Sequence, residues 1–343
     1  MKTLLITAAA LATIVGAVQA AADQITQKAE KRDSPAATQF VKIGRFTGHR
    51  GAVYRAIVSP DGQHGISCGE DKSIRIWDIA TQVEKNILQG HQGRVFSLAV
   101  SSNGTLLASG DAENSIRLWD LKSGKPLGEL AGHQGPVTAL AFVPDQPRLL
   151  SVGWDKTLRI WDVEERKAVR TIDLGTVANE MQALAGGRQV VLSGADVRGW
   201  GVEFYDLEAG SRIEEKPSIL SCFSVSHDGR RTLLGYINGL LKLLDTQSNE
   251  VVIQMVDAQG KAVMRAAISP DGKTAVTTTR ENMMHLWDLT TGKLLTSIQD
   301  ETIAFLSLSP DGRFALTLGR EGGVGIWRLP ESLGQQAAGT EKR

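Results

Sequence analysis

His49, Ser67 and Asp71 are the residue types of a serine hydrolase, with a nucleophile, a general base and a carboxylate to orient it. His133, Ser151 and Asp155 repeat the set, and His91, Ser109 and Glu113 nearly repeat it. The repetition itself argues against catalysis. Each trio keeps constant offsets from a tryptophan (Trp77, Trp119 or Trp161): the histidine lies 28 residues before it and the serine 10 before it. An enzyme needs one such site, whereas three parallel copies point to a structural unit used three times. Buried polar groups must be satisfied, and a closed hydrogen-bond network fixes one packing of each unit.

Other chemistry is thinly represented. His64, His227 and His285 show no ligand spacing with a carboxylate or a cysteine, so neither a metal site nor a cofactor motif is expected. Glu70-Asp71 and Asp111-Ala112-Glu113 fall where turns are expected, and solvated turns explain them better than general acid–base pairs do. Cys68 and Cys222 form no Cys-x-x-Cys or Cys-x-x-Cys-His pattern, which argues against redox catalysis and covalent haem attachment. They read as two buried free thiols. Lys plus Arg equals Asp plus Glu at 38 each, so nothing suggests an electrostatic trap for nucleic acid or an anionic membrane.

The elements that position these residues follow from an internal repeat. Gly48-His49 precedes Trp77-Asp78, Gly90-His91 precedes Trp119-Asp120, and Gly132-His133 precedes Trp161-Asp162, with a gapless period of 42. On these dipeptides the chain resembles the WD40 family. Looser copies end at Tyr205-Asp206, Leu244-Asp245, Trp287-Asp288 and Trp327-Arg328, which makes seven units. Cys68 and Cys222 then fall on units 1 and 5, which are not neighbours. The resemblance implies that Asp71 orients His49, that His49 bonds Ser67, and that Ser67 reaches the indole of Trp77. Units 6 and 7 depart from the pattern, with Gln259 at the His position, Thr277 and Thr317 at the Ser position, and Glu281 and Glu321 at the Asp position. Units 4 and 5 have no credible network, so apolar packing alone is expected to hold them, as the softer side of the ring.

Each unit reads as four short strands separated by tight turns. In unit 1, Val53 to Ser59 is a mostly apolar run. It is broken by Ser59-Pro60-Asp61-Gly62, in which Pro pre-sets φ and Gly supplies a positive one. Three further runs follow: Gly65 to Gly69, Ser73 to Asp78, and Glu84 to Gln89. Four strands per 40-odd residues predict an all-β, seven-bladed propeller over 39–329, with four-stranded antiparallel blades. An outer strand, Phe40 to Phe46, precedes the first Gly-His, and the chain runs out of blade after the third strand of unit 7. The N-terminal strand is therefore expected to complete the last blade and close the ring, removing exposed edges.

The N-terminus reads as a secretory signal peptide over 1–20: Lys2, an apolar run from Leu4 to Val18, and small residues at Val18-Gln19-Ala20. No cysteine follows the apolar run and no Arg pair precedes it, which favours the general secretory route over lipoprotein or twin-arginine export. A polar leader (21–38) and a polar tail (330–343) flank the propeller. The expected location is periplasmic or secreted.

If the blades form a ring, function resides in the loops around one mouth. The register places Tyr54, Phe96, Thr138 and Met264 near the central channel. Beside them stand Glu70, Ala112, Trp154, Arg280 and Arg320, with Arg94 on the same rim. Aromatic and Arg side chains are the types enriched in interface hot spots, and together they suit an acidic or aromatic-containing peptide. The expectation is a non-catalytic scaffold that docks a protein or peptide partner, as a monomeric propeller alone or within a larger complex. A propeller enzyme and a small-ligand sensor at the channel mouth are the competing readings.

Overall fold

A computed structural model describes residues 39–330, apart from 185, 197–198, 217–219, 257–259, 304 and 320–322. The expected signal peptide, the leader and residues 331–343 of the tail lie outside the described residues. Every regular element described is a strand.

The chain enters through β1 (Val41–Phe46). Blade 1 is β2 (Val53–Val58), β3 (His64–Gly69), β4 (Ile74–Asp78) and β5 (Glu84–Leu88). Blade 2 is β6 (Val95–Val100), β7 (Leu106–Asp111), β8 (Ile116–Asp120) and β9 (Pro126–Leu130). Blade 3 is β10 (Val137–Phe142), β11 (Arg148–Gly153), β12 (Thr157–Asp162) and β13 (Lys167–Asp173). Blade 4 is β14 (Val177–Ala183), β15 (Gln189–Asp196), β16 (Gly199–Asp206) and β17 (Ser211–Lys216). Blade 5 is β18 (Leu220–Val225), β19 (Arg231–Tyr236), β20 (Leu240–Asp245) and β21 (Val251–Val256). Blade 6 is β22 (Val263–Ile268), β23 (Thr274–Thr279), β24 (Met283–Asp288) and β25 (Leu294–Gln299). Blade 7 is β26 (Phe305–Leu308), β27 (Phe314–Leu318) and β28 (Val324–Arg328).

Blade 7 takes its fourth strand from the other end of the chain. Its sheet order is β1-β28-β27-β26, with Val41 opposite Arg328 and Phe46 opposite Val324. Each of the other six blades is a simple antiparallel meander in chain order. The seven-bladed ring is therefore closed by strand pairing, as the strand count predicts. Lys42 adds an ion pair to Asp300 at 2.7 Å and lies over the Trp327 ring.

Local sequence explains the strands. The hairpin between the first two strands recurs as Ser-x-Asp-Gly: Ser59 donates to Asp61, the Gln63 amide donates to the same carboxylate, and Gly62 adopts φ +70°. Few residues other than glycine tolerate that conformation. The third strand alternates, with Ile74 and Ile76 buried and Arg75 half-buried. The core lies between blades. Trp77 of blade 1 packs with Leu316, Val324 and Ile326 of blade 7, and Trp161 of blade 3 packs with Leu118 and Ala108 of blade 2. Each large apolar side chain so buried contributes about 2–3 kcal/mol, which makes every blade a lid on its neighbour.

Candidate binding site at the channel mouth

The histidine trios form chains of hydrogen bonds. In blade 3, His133 Nδ1 lies 2.8 Å from Asp155 Oδ2, its Nε2 lies 2.7 Å from Ser151 Oγ, and the Trp161 indole N–H donates to that same Oγ at 2.7 Å. Blade 1 has the same chain through Asp71, His49, Ser67 and Trp77, with distances of 2.9–3.0 Å. Burial pulls the His49 and His133 pKa values below the ordinary 6.5, against the raising effect of their aspartates. A neutral ring that donates from Nδ1 accepts the serine proton at Nε2. The geometry resembles a hydrolase triad, yet Ser67, Ser109 and Ser151 are fully buried and their oxygens are taken by an indole N–H. No substrate carbonyl reaches a nucleophile held in that way.

Blade 2 departs from the expected pattern. The carboxylate that faces His91 Nδ1, at 2.8 Å, belongs to Asp111; Glu113 is exposed. Asp111 is the last residue of β7, where blades 1 and 3 have Gly69 and Gly153. From the strand end its short side chain reaches the imidazole and accepts the backbone N–H groups of Glu113 and Ser115. The expectation aligned turn with turn and missed that an acid two residues earlier does the same work.

Blades 6 and 7 keep the indole bond with threonine in place of serine: Trp287 donates to Thr277 at 2.9 Å and Trp327 to Thr317 at 2.8 Å. Gln259 and Glu321 lie outside the described residues. Blades 4 and 5 are not held by apolar packing alone. Glu203 accepts from Tyr205 Oη and Arg212 Nη1, both at 3.0 Å. The Gln182 side chain bonds both backbone groups of Val225 across the blade boundary. Glu203 and Arg212 stand where blade 1 has the Arg75–Glu84 pair with the charges exchanged, so a search for recurring residue types misses them.

The channel mouth is shaped by a bulge repeated in blades 1 to 6. The ladder between the two innermost strands skips one residue each time: Tyr54, Phe96, Thr138, Asn179, Ser221 and Met264. A bulged residue has no partner opposite, and its side chain is re-aimed. Four of the six line one cavity of about 240 Å³, together with Arg55, Trp154, Arg265 and Phe305. The Tyr54 and Phe96 rings meet edge to face at 5.0 Å.

The expected rim residues distribute unevenly. Tyr54, Phe96, Thr138 and Trp154 converge on this cavity, and Trp154 is 58% exposed. Met264 is half-buried and does not line the cavity, although its carbonyl accepts from Arg265 Nη1 at 2.7 Å. Arg94 is paired with Glu70 at 3.0 Å across blades 1 and 2, which leaves it less available to a partner than the sequence suggests. Arg280 and Ala112 stand on neighbouring loops, outside the cavity lining, and Arg320 lies outside the described residues.

Sequence reasoning missed the charged layer beneath the mouth. Arg55 of blade 1 and Arg265 of blade 6 both stack on Phe305 of blade 7, at 4.7 and 5.2 Å from its centroid. Glu180 of blade 4 pairs with Arg265 Nε at 2.9 Å. Burial lowers the Arg55 pKa; Glu180 opposes this and Arg265 adds to it. An Arg at the first ladder position after the bulge is the available signal, but nothing local tells which blades face one another.

Cys68 and Cys222 are both buried and free, and burial raises both thiol pKa values, that of Cys222 to about 12. No group of three or more metal-ligating side chains occurs among the described residues.

Comparison with known proteins agrees with this architecture. Residues 40–78, 82–120 and 124–162 each match the family model for the WD domain, G-beta repeat. The first three units are thus WD40 repeats. Among solved structures, one described as the structure of U3-55K superimposes with a TM-score of 0.74 at 21% identity, covering 84% of this chain and 98% of that one. The crystal structure of RRP9 WD40 repeats gives a TM-score of 0.74 at 22% identity, covering 84% and 97%. At that identity the likeness is one of fold. No curated protein matches the sequence.

Proposed function

We propose that this WD40-repeat propeller is a non-catalytic docking scaffold of the bacterial periplasm or extracellular space, holding a protein or peptide on the loop face around its channel. The observation that carries the reading is the mouth itself. Three aromatic side chains, Tyr54, Phe96 and Trp154, converge on one open cavity, and Trp154 has most of its surface in solvent. Such residues anchor protein interfaces, and WD40 propellers generally bind proteins.

Size separates this reading from a small-ligand sensor. The cavity of about 240 Å³ falls below the roughly 300–1,000 Å³ of small-molecule sites, yet it admits one side chain of a docked partner. The buried, indole-capped serines support the non-catalytic reading. The apolar N-terminal run ending at Val18-Gln19-Ala20 supports export.

The test is affinity capture from envelope extract with the mature protein, comparing wild type with Trp154→Ala and Tyr54→Ala. A partner retained by wild type and lost by both folded variants is expected. Retention by both variants would place docking elsewhere. Fusing residues 1–38 to a reporter active only outside the cytoplasm tests location, and a silent reporter overturns it.

A further inference from the structure

We infer that the channel mouth is a carboxylate-recognition site, in which Arg55 and Arg265, stacked on Phe305, bind an acidic side chain of the docked partner. The inference rests on the docking reading above and names the chemistry of the group that enters the channel.

Charge within one layer of the ring is the first observation. The residue after each bulge occupies an equivalent ladder position: Arg55, Ser97, Ala139, Glu180, Cys222 and Arg265, with Phe305 at the matching place in blade 7. Two cations thus face one carboxylate. Glu180 is committed to Arg265 at 2.9 Å. The Arg55 guanidinium makes no hydrogen bond or ion pair among the described residues; it lies over the Phe305 ring, and Glu180 acts on it only at longer range.

A guanidinium does not shed its proton at physiological pH. Half-buried in the cavity wall with no protein acceptor, it presents its donors to whatever anion enters. The planar fork is suited to a carboxylate, which it grips through two parallel bonds. One surplus positive charge matches a monoanion rather than a doubly charged phosphate.

Access is the second observation. Arg55 and Arg265 line the cavity together with Tyr54, Phe96, Thr138, Asn179 and Trp154. A side chain that descends past Trp154 reaches both guanidinium groups while its backbone stays on the loop face. The aromatic wall excludes water and strengthens the ion pair.

The experiment is fluorescence anisotropy of the full-length protein with dye-labelled N-acetyl-hexaglutamate amide, and with hexaglutamine as its uncharged counterpart. Hexaglutamate is expected to bind and hexaglutamine not to. Arg55→Gln and Arg265→Gln should each weaken binding about tenfold to a hundredfold, the loss of a charged hydrogen bond. Butyrate, a monocarboxylate, should compete, and inorganic phosphate should not. Arg55→Met, which keeps the packing on Phe305, should melt no lower than wild type, because a guanidinium held for a ligand contributes nothing to the empty fold.

Absence of hexaglutamate binding, equal binding by the Gln variants, or competition by phosphate as strong as by butyrate would overturn the inference. A clearly lower melting point for Arg55→Met would do the same, by making the charge structural. A partner captured through Trp154 and Tyr54 but indifferent to Arg55→Gln leaves docking standing and removes the carboxylate site. Hexaglutamate binding with no partner captured has the opposite meaning.

Discussion

The Phe46 ring lies 4.9 Å from the Trp77 ring and 7° from parallel, so the strand that completes blade 7 is also stacked on blade 1. Residues at the two ends of the propeller sequence are thereby joined twice. Backbone pairing holds β1 to β28, and an aromatic stack holds β1 to the third strand of the first blade. Closure is a packing event as well as a hydrogen-bonding one.

Phe46→Ala should therefore destabilise the whole ring rather than fray one edge. Phe46 is almost fully buried among Val53, Trp77, Leu316 and Ile326. Truncation of a buried phenylalanine costs about 3–5 kcal/mol. Equilibrium urea unfolding checks this, and the expected result is a lower midpoint in a single transition. A midpoint unchanged from wild type would mean that backbone pairing alone closes the ring.

Asp111→Ala and Glu113→Ala should differ sharply, although two residues separate them. The first leaves His91 Nδ1 and the amides of Glu113 and Ser115 without their acceptor, at a cost of about 3 kcal/mol. The second removes an exposed side chain and should stay within about 0.5 kcal/mol of wild type. Paired thermal melts decide between them. The reverse ranking would restore the turn acid to the network.

Acidification should destabilise the protein in two stages. His49 and His133 have folded pKa values below 6.5, so below that pH the unfolded chain binds protons that the folded chain refuses. Stability then falls with decreasing pH, by up to about 1.4 kcal/mol per pH unit for each histidine, starting near pH 6.5. Asp71, Asp111 and Asp155 have values below the ordinary 3.8, because hydrogen bonds outweigh the effect of burial, so a second loss begins near that pH. Melting points recorded from pH 7.5 to 3 should show both stages. His133→Gln should flatten the first, and stability that rises on acidification to pH 5 would contradict the assignment.

The network was legible because all its members lie within one repeat. His133, Ser151, Asp155 and Trp161 span 29 residues, and each recurs at the same offset in blade 1. Asp111 was not legible, since its reach depends on where β7 ends rather than on residue type. Glu203 with Arg212 was hidden for another reason: it is the Arg75–Glu84 pair of blade 1 with the charges exchanged, and a repeat reading by residue type detects only what recurs unchanged.

The sequence by itself determined the strands, the turns, the number of blades and the strand that closes the ring. These depend on local residue chemistry and on a count: β-branched residues alternate, Asp-Gly supplies a positive φ, and three strands at one end need a fourth. Tertiary structure alone decided which charges meet. Arg55, Glu180, Arg265 and Phe305 lie on four different blades and as many as 250 residues apart. They meet because closure brings blades 1, 6 and 7 together, and because the bulge in blades 1 and 6 re-aims the inner strand where Arg55 and Arg265 line the mouth. Neither ring curvature nor bulge geometry is encoded in any single window of sequence. The trio that looks catalytic in the sequence is closed in the fold, and the chemistry open to a partner lies at the channel, where the sequence shows only two unremarked arginines.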